Sequence, residues 1–254
     1  MVATTRAFSL QRWQPLLIAA LLWLLAFFLF SQQGIWATIL GSLFPFADPV
    51  LFERASLLRL VIQHLQISLT SMVLVILIGI PLAIFCTRRQ GLAFLPLVEN
   101  IVAVGQTFPP VAVLFLALPI FGFGTLAPIL ALFFYGLLPT VRGTLLGLRA
   151  VAPELKDAAL GSGMNGLQLL RRLELPLSLP AILAGLRSSL VLIIATTSIA
   201  PLVGTGGLGV PMLAGLTTNN TSLLLEGAIP VAILALLSDY TMRSVERLLT
   251  PWRT

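Results

Sequence analysis

The residues best placed to do chemistry in this chain lie between positions 149 and 179, and the chemistry they suit is docking, not bond-making. Pro153 fits the first position of a helix, and Glu154 and Asp157 in its opening turns complement the positive end of the helix dipole. Ala158 and Ala159 continue a helix with a small-residue face, which breaks at Gly161-Ser162-Gly163. Asn165 can cap a second helix whose end carries Arg171 and Arg172, and Pro176 is expected to stop it. A short helix with an Ala/Gly face can fit closely into a partner's groove. The same residues also suit an ordinary solvated loop, and their types alone do not separate the two.

Bond-making groups are not clustered anywhere. His64 is the only histidine, and Cys86, the only cysteine, sits in an apolar run and has no second thiol to pair with. A phosphate-binding loop needs Gly-x4-Gly-Lys-Ser/Thr. Lys156 is the only lysine and has no suitable glycine upstream, while the glycine-rich stretch 204–209 has no lysine. The chain therefore cannot hydrolyse ATP by that route.

The remaining candidates are single polar residues in apolar surroundings. Glu99 lies about one turn inside an apolar stretch, where a carboxylate marks a functional pathway by default; alternatively it snorkels or pairs with Arg88 or Arg89. Gln106 and Thr107 precede Pro109-Pro110 and either line a pore or satisfy backbone groups that the prolines free. Tyr135 offers an aromatic face to a cationic solute or simply packs. His64 and Thr196-Thr197-Ser198 fit structural roles.

The elements that carry these residues are set by hydropathy. With 58% hydrophobic and 9% charged residues and a mean hydropathy of +1.04, the chain is far below the roughly 25% charge of a soluble domain. Much of its exterior must face lipid. About 20 apolar residues make a membrane-crossing helix, which predicts spans over 15–31, 65–86, 94–121, 125–146, 180–203 and 222–238. The first reads as an uncleaved span, because bulky Phe27, Phe28 and Phe30 end it. The segment 35–47 is too short to cross and is expected to be interfacial or re-entrant. Gly122-Phe123-Gly124 supplies the turn between the third and fourth spans. Six spans put both termini on one side. Twelve of the fifteen basic residues, among them Arg6, Arg12, Arg88, Arg89, Lys156, Arg171, Arg172 and Arg253, then share that side. Arg54 and Arg59 lie opposite, and Arg187 falls within the fifth span. Such an excess marks the cytosol.

Asp157-Ala158-Ala159, then Gly163, then Leu173-x-Leu175-Pro176 resembles the EAA loop of binding-protein-dependent ABC importer permeases. That loop reads Glu-Ala-Ala, three residues, Gly, nine residues, Ile-x-Leu-Pro. Here Asp157 stands for Glu and Leu173 for Ile. Gln106-Thr107-Phe108-Pro109 resembles the Gln-Thr-Ile-Pro signature of the osmoprotectant branch, which imports glycine betaine, choline and related quaternary amines. Residues 135–142, including Tyr135, Pro139 and Arg142, and the stretch 204–209 are similar to that branch as well. The latter also resembles methionine-importer permeases. The resemblance runs from His64 onward and is absent from the first 60 residues.

The resemblance implies an all-α polytopic fold, the type I ABC importer transmembrane domain, with about six transmembrane helices. Residues 1–60 would form an N-terminal helix and external segment, and 61–254 the permease domain. In such a protein the coupling loop 149–179 docks on the ATPase. Asp157 would hold the loop or touch the ATPase, Ala158 and Ala159 would allow close approach, Gly163 would make the turn, and Leu175 and Pro176 complete the motif. Glu99, Gln106, Thr107 and Tyr135 become candidates for the translocation pathway. The chain itself would hold no metal or cofactor and would be no enzyme, with ATP and Mg bound by the partner ATPase. The implied partners are a cytosolic ATPase dimer, an identical or homologous second permease, an extracytoplasmic substrate-binding protein and the lipid bilayer, with no nucleic acid. The implied place is the bacterial inner membrane. A methionine or small amino-acid importer is the nearest alternative. An ion-coupled secondary transporter would show internal repeats and midplane charges, and neither is visible.

Overall fold

The computed structural model describes the backbone over residues 2–250 and side chains over 13–250. The side chains of Arg6 and Arg12, and Arg253 altogether, lie outside the described residues. Among the described residues, five helices are long and apolar enough to cross a membrane: α1 (Val2–Ser31), α3 (Leu57–Cys86), α6 (Leu126–Arg149), α9 (Leu175–Thr196) and α11 (Thr221–Leu249). Between α1 and α3 lies the short α2 (Gln33–Leu43), where an interfacial segment was expected.

The predicted third span, 94–121, is not one helix. It consists of α4 (Leu95–Thr107) and α5 (Pro110–Phe121), bent by 99°. A residue before proline is pushed out of the α region. Pro109-Pro110 imposes this twice, so Phe108 (ψ 134°) and Pro109 (ψ 131°) are both extended, and Pro110 then opens α5 at a position that needs no N–H. The broken pair still passes from one end of the bundle to the other. At its start Glu99 pairs with Arg149, the last residue of α6. At its finish, in a turn where Gly122 and Gly124 both have positive φ, the Gly124 N–H donates to Val203 O at 3.1 Å.

Helices pack in a membrane by close contact and hydrogen bonds, since lipid is as apolar as leucine. The central pair, α6 and α9, shows this. A Cβ on Gly143 would sit 2.8 Å from Ala181 O, one on Gly147 2.8 Å from Ser178 O, and one on Gly185 2.6 Å from Pro139 O. Bare backbone at these three positions lets the axes approach. Ser189 Oγ, fully buried, then lies 2.8 Å from Thr140 Oγ1 and donates to Gly136 O at 2.6 Å. Val75 and Ala83 of α3, Leu137 and Val141 of α6, and Ile182 and Ile193 of α9 fill the core around the pair. Large apolar side chains such as Leu21, Leu77, Leu116 and Leu236 face outward.

Pro176 does not stop a helix, contrary to expectation. After the four-residue α8 (Gly166–Leu169) the chain takes a π turn over Leu170–Glu174 and enters α9 directly. The wider turn bonds Leu175 N–H to Leu170 O, five residues back, just before a residue that has no N–H to give. Pro176 therefore sits in the first turn of α9. The last helix runs eleven residues past the predicted 238, because its second half is held by charge: Asp239 takes Arg187 of α9 at 3.4 Å and Arg243 at 2.8 Å. Arg187, placed inside a span by the sequence, thus has a partner.

The N-terminal segment packs on this body. Trp23 Nε1 of α1 donates to Thr241 Oγ1 of α11 at 3.0 Å, and Trp36 Nε1 of α2 donates back to Leu29 O. The stretch after α2 is pinned to the start of α11. Phe52 N–H donates to Glu226 at 2.7 Å, Ser222 Oγ to Val50 O, and Asn220 Nδ2 to Pro49 O.

Candidate coupling loop and translocation path

At one end of the bundle α7 (Pro153–Gly161) and α8 form a helical hairpin. Pro153 opens α7 and Glu154 occupies its first turn. The closure is a Schellman motif: Gly163, at φ +86°, donates its N–H to Leu160 O, and Met164 N–H reaches Ala159 O at 3.2 Å. Only glycine adopts that φ without strain. Asn165 then caps α8 in a reciprocal box, accepting from Gln168 N–H while its own N–H donates to Gln168 Oε1, both at 2.9 Å. The turn and the cap expected from the sequence are both present.

Of the small-residue pair, Ala158 is exposed and Ala159 is buried. Asp157 is exposed and, among the described residues, forms no ion pair. Beside it Leu155, Leu160 and Leu167 stand out, each about half exposed, so the presented surface is larger and more apolar than an Ala/Gly face. Leu175 packs against the core. Leu175 and Pro176 therefore set the entry of α9 and are not part of the presented face.

Beneath the hairpin lies a charge cluster that sequence reasoning missed. Glu174, 4% exposed, accepts from Arg88 Nη2 at 2.5 Å and lies 3.2 Å from Lys156 Nζ. Lys156 also donates to Leu148 O, at the end of α6. One carboxylate thus joins the end of α3, the hairpin helix α7 and the turn into α9, and its lysine adds the end of α6. Glu99 pairs with Arg149 at 3.6 Å and not with Arg88 or Arg89, and of those two Arg88 is held by Glu174. The available signals were that Glu174 occupies the x of Leu173-x-Leu175-Pro176 and that Lys156 is the only lysine.

The pathway candidates separate by depth. Glu99 and its arginine are about half exposed at the loop end. Gln106 lies deeper, at the break, and its Nε2 donates to Tyr135 O at 3.0 Å. That carbonyl is four residues before Pro139, which has no N–H to close the helical bond. The amide of α4 thus replaces a donor missing in α6. Thr107 is exposed and returns its hydroxyl to Val104 O, and the Tyr135 ring is half-buried. At the opposite end, the glycine-rich turn wraps the start of α3. Gly207 N–H donates to Gln63 Oε1, and fully buried His64 bonds Ile194 O through Nε2.

The bundle thus consists of five membrane-length apolar helices and one broken pair, with an exposed helical hairpin at one end. Residues 79–252 match the family described as binding-protein-dependent transport system inner membrane component, and the chain belongs to that family. It is a multi-pass permease of the inner membrane, not an enzyme. Over 189 residues it is 42% identical to the carnitine transport permease OpuCB of Listeria monocytogenes, covering 74% of this chain and 86% of that protein. It is 38% identical, with the same coverage, to the glycine betaine/carnitine/choline transport system permease OpuCB of Bacillus subtilis. The fold is that of type I ABC importer membrane domains. The inward-facing MetNI methionine ABC transporter superposes with a TM-score of 0.67 at 22% identity, over 76% of this chain and 95% of that one.

Proposed function

We propose that this permease imports small quaternary-amine solutes of the glycine betaine, carnitine and choline class, and that hydrolysis of ATP by a separate subunit drives it. The observation that carries the reading is the contact between the two segments with the branch resemblance: Gln106 of 106–109 bonds the Tyr135 carbonyl of 135–142. The substrates named for the relatives at about 40% identity support it. The likeness to the methionine transporter concerns the fold alone.

The loop end is the cytosolic one, because the basic excess gathers there. Both termini share that side. The face with Leu155, Asp157, Ala158 and Leu160 docks on a cytosolic ATPase dimer that binds ATP and Mg, and Gly163 keeps the hairpin closed. Movement of α7 is passed through Lys156, Glu174 and Arg88 to α3, α6 and α9. A second permease copy or homologue completes the pore, in which Glu99, Gln106, Thr107 and Tyr135 lie along the broken span. An extracytoplasmic binding protein delivers solute at the other end, and residues 1–60 form an appended helix and external segment beside the permease domain.

The test is uptake by the assembled transporter in proteoliposomes. Radiolabelled glycine betaine, carnitine or choline should enter only with ATP inside and the binding protein outside. Uptake of methionine and of no quaternary amine would overturn the assignment.

A further inference from the structure

Gln63, Gln66 and Thr70 lie on one face of α3 and border a pocket of about 280 Å³ at the end away from the coupling hairpin. Thr125, just before α6, and Gly206, in the glycine-rich turn, complete its sides, with Ile67 among the apolar residues of its wall. Gln66 and Thr70 are exposed although α3 crosses the membrane. An amide facing hydrocarbon without a partner is strongly disfavoured, so this face looks into water or onto polar groups.

The side chains are set for a particular ligand chemistry. Gln63 Oε1 accepts the Gly207 N–H at 3.2 Å, and a Cβ on Gly206 would collide with the same amide. The turn thus holds the acceptor end of Gln63 and leaves its Nε2 hydrogens to donate. Thr70 gives its hydroxyl hydrogen to Gln66 O at 2.7 Å, which leaves the Gln66 side-chain amide at the pocket with both its functions. Among the described residues, none that lines the cavity is charged. A site without fixed charge cannot compensate a dehydrated ion, yet amide N–H groups can hold a carboxylate whose own molecule carries the balancing cation.

We propose that this pocket is the outer reception site for solute, and that it takes a zwitterion through its carboxylate, held by Gln63 and Gln66. The proposal rests on the reading of the chain as a quaternary-amine importer and sharpens it: glycine betaine and carnitine, of zero net charge, are preferred at this site over the cation choline.

The test uses the complete transporter in proteoliposomes with saturating binding protein. Gln66→Leu and Gln63→Leu remove the donors at similar bulk, and each should lower glycine betaine uptake about tenfold, the effect of one hydrogen bond to a charged group. Gln66→Glu places a fixed anion in the pocket and should shift the ratio of choline to glycine betaine uptake towards choline by a similar factor. Unchanged uptake and ratio in a wild-type background that does transport glycine betaine would overturn the site and leave the importer reading intact. A wild-type transporter that moves none of these solutes would overturn the importer reading itself. Loss of the paired permease on native gels in Gln66→Leu would assign the face to packing between permeases and would also overturn the site.

Discussion

Glu174 and Glu99 are both carboxylates at the loop end, and their surroundings make them unequal. The Glu174 side chain is 5% exposed and contacts two cations, whereas Glu99 is 42% exposed and meets one arginine at 3.6 Å. A half-exposed pair contributes about 0–1 kcal/mol. Breaking a fully buried pair costs about 3–5 kcal/mol, and because Arg88 and Lys156 are about a third open to water, the loss at Glu174 should be about 2 kcal/mol. Glu174→Gln should therefore lower the melting temperature of the detergent-solubilised permease and reduce uptake per ATP hydrolysed, while Glu99→Gln changes the melting temperature little. Equal melting temperatures for the two variants would remove Glu174 from its place as the node. The sequence named Glu99 because a carboxylate stands out in an apolar run. Glu174 escaped notice because a charge beside arginines in a loop looks solvated until the helices close over it.

Among the elements, α7 owes its end to Gly163 and not to Gly161, although both are glycines in one short break. Gly163 has φ +86° and Gly161 closes the regular helix, with open space around both Cβ positions. A β-branched residue at 163 is therefore disfavoured by its backbone and not by crowding, at a cost of about 1–3 kcal/mol. Gly163→Val should detach or uncouple the ATPase while the permease still inserts, whereas Gly161→Ala should keep ATPase co-purification and uptake near wild type. Measuring both in one membrane preparation checks this, and wild-type coupling in Gly163→Val would show that the hairpin is not the coupling element. The Gly163 turn and the Asn165 cap were legible because both are local, set by neighbours a few residues away. The 99° bend was only half legible: Pro109-Pro110 marked a disturbance, but proline is common in membrane helices and its presence does not say how far the chain turns.

For the whole molecule, orientation is testable with single cysteines in a Cys86→Ser background. Gln90 and Ser162 at the loop end and Thr218 at the other are all exposed, and none holds a cap through a side chain that another residue needs. An impermeant thiol reagent added to intact cells should label the cysteine at 218 alone, and labelling at 90 or 162 from outside would reverse the topology. The sequence by itself determined the apolar stretches, their basic flanks and the turn and cap of the loop 149–179. Hydropathy, positive charge and turn chemistry are properties of consecutive residues, and a backbone in lipid has little choice but helix. Only the tertiary structure decided which helices touch: that Gln106 supplies the donor Pro139 lacks, that Glu174 gathers Arg88 and Lys156, and that Gly143, Gly147 and Gly185 let α6 and α9 meet. Those partners are mostly dozens of residues apart; the spacing Gly143-x-x-x-Gly147 marks a face suited to close approach but does not name the helix it meets, and that pairing depends on how the helices rotate and pack.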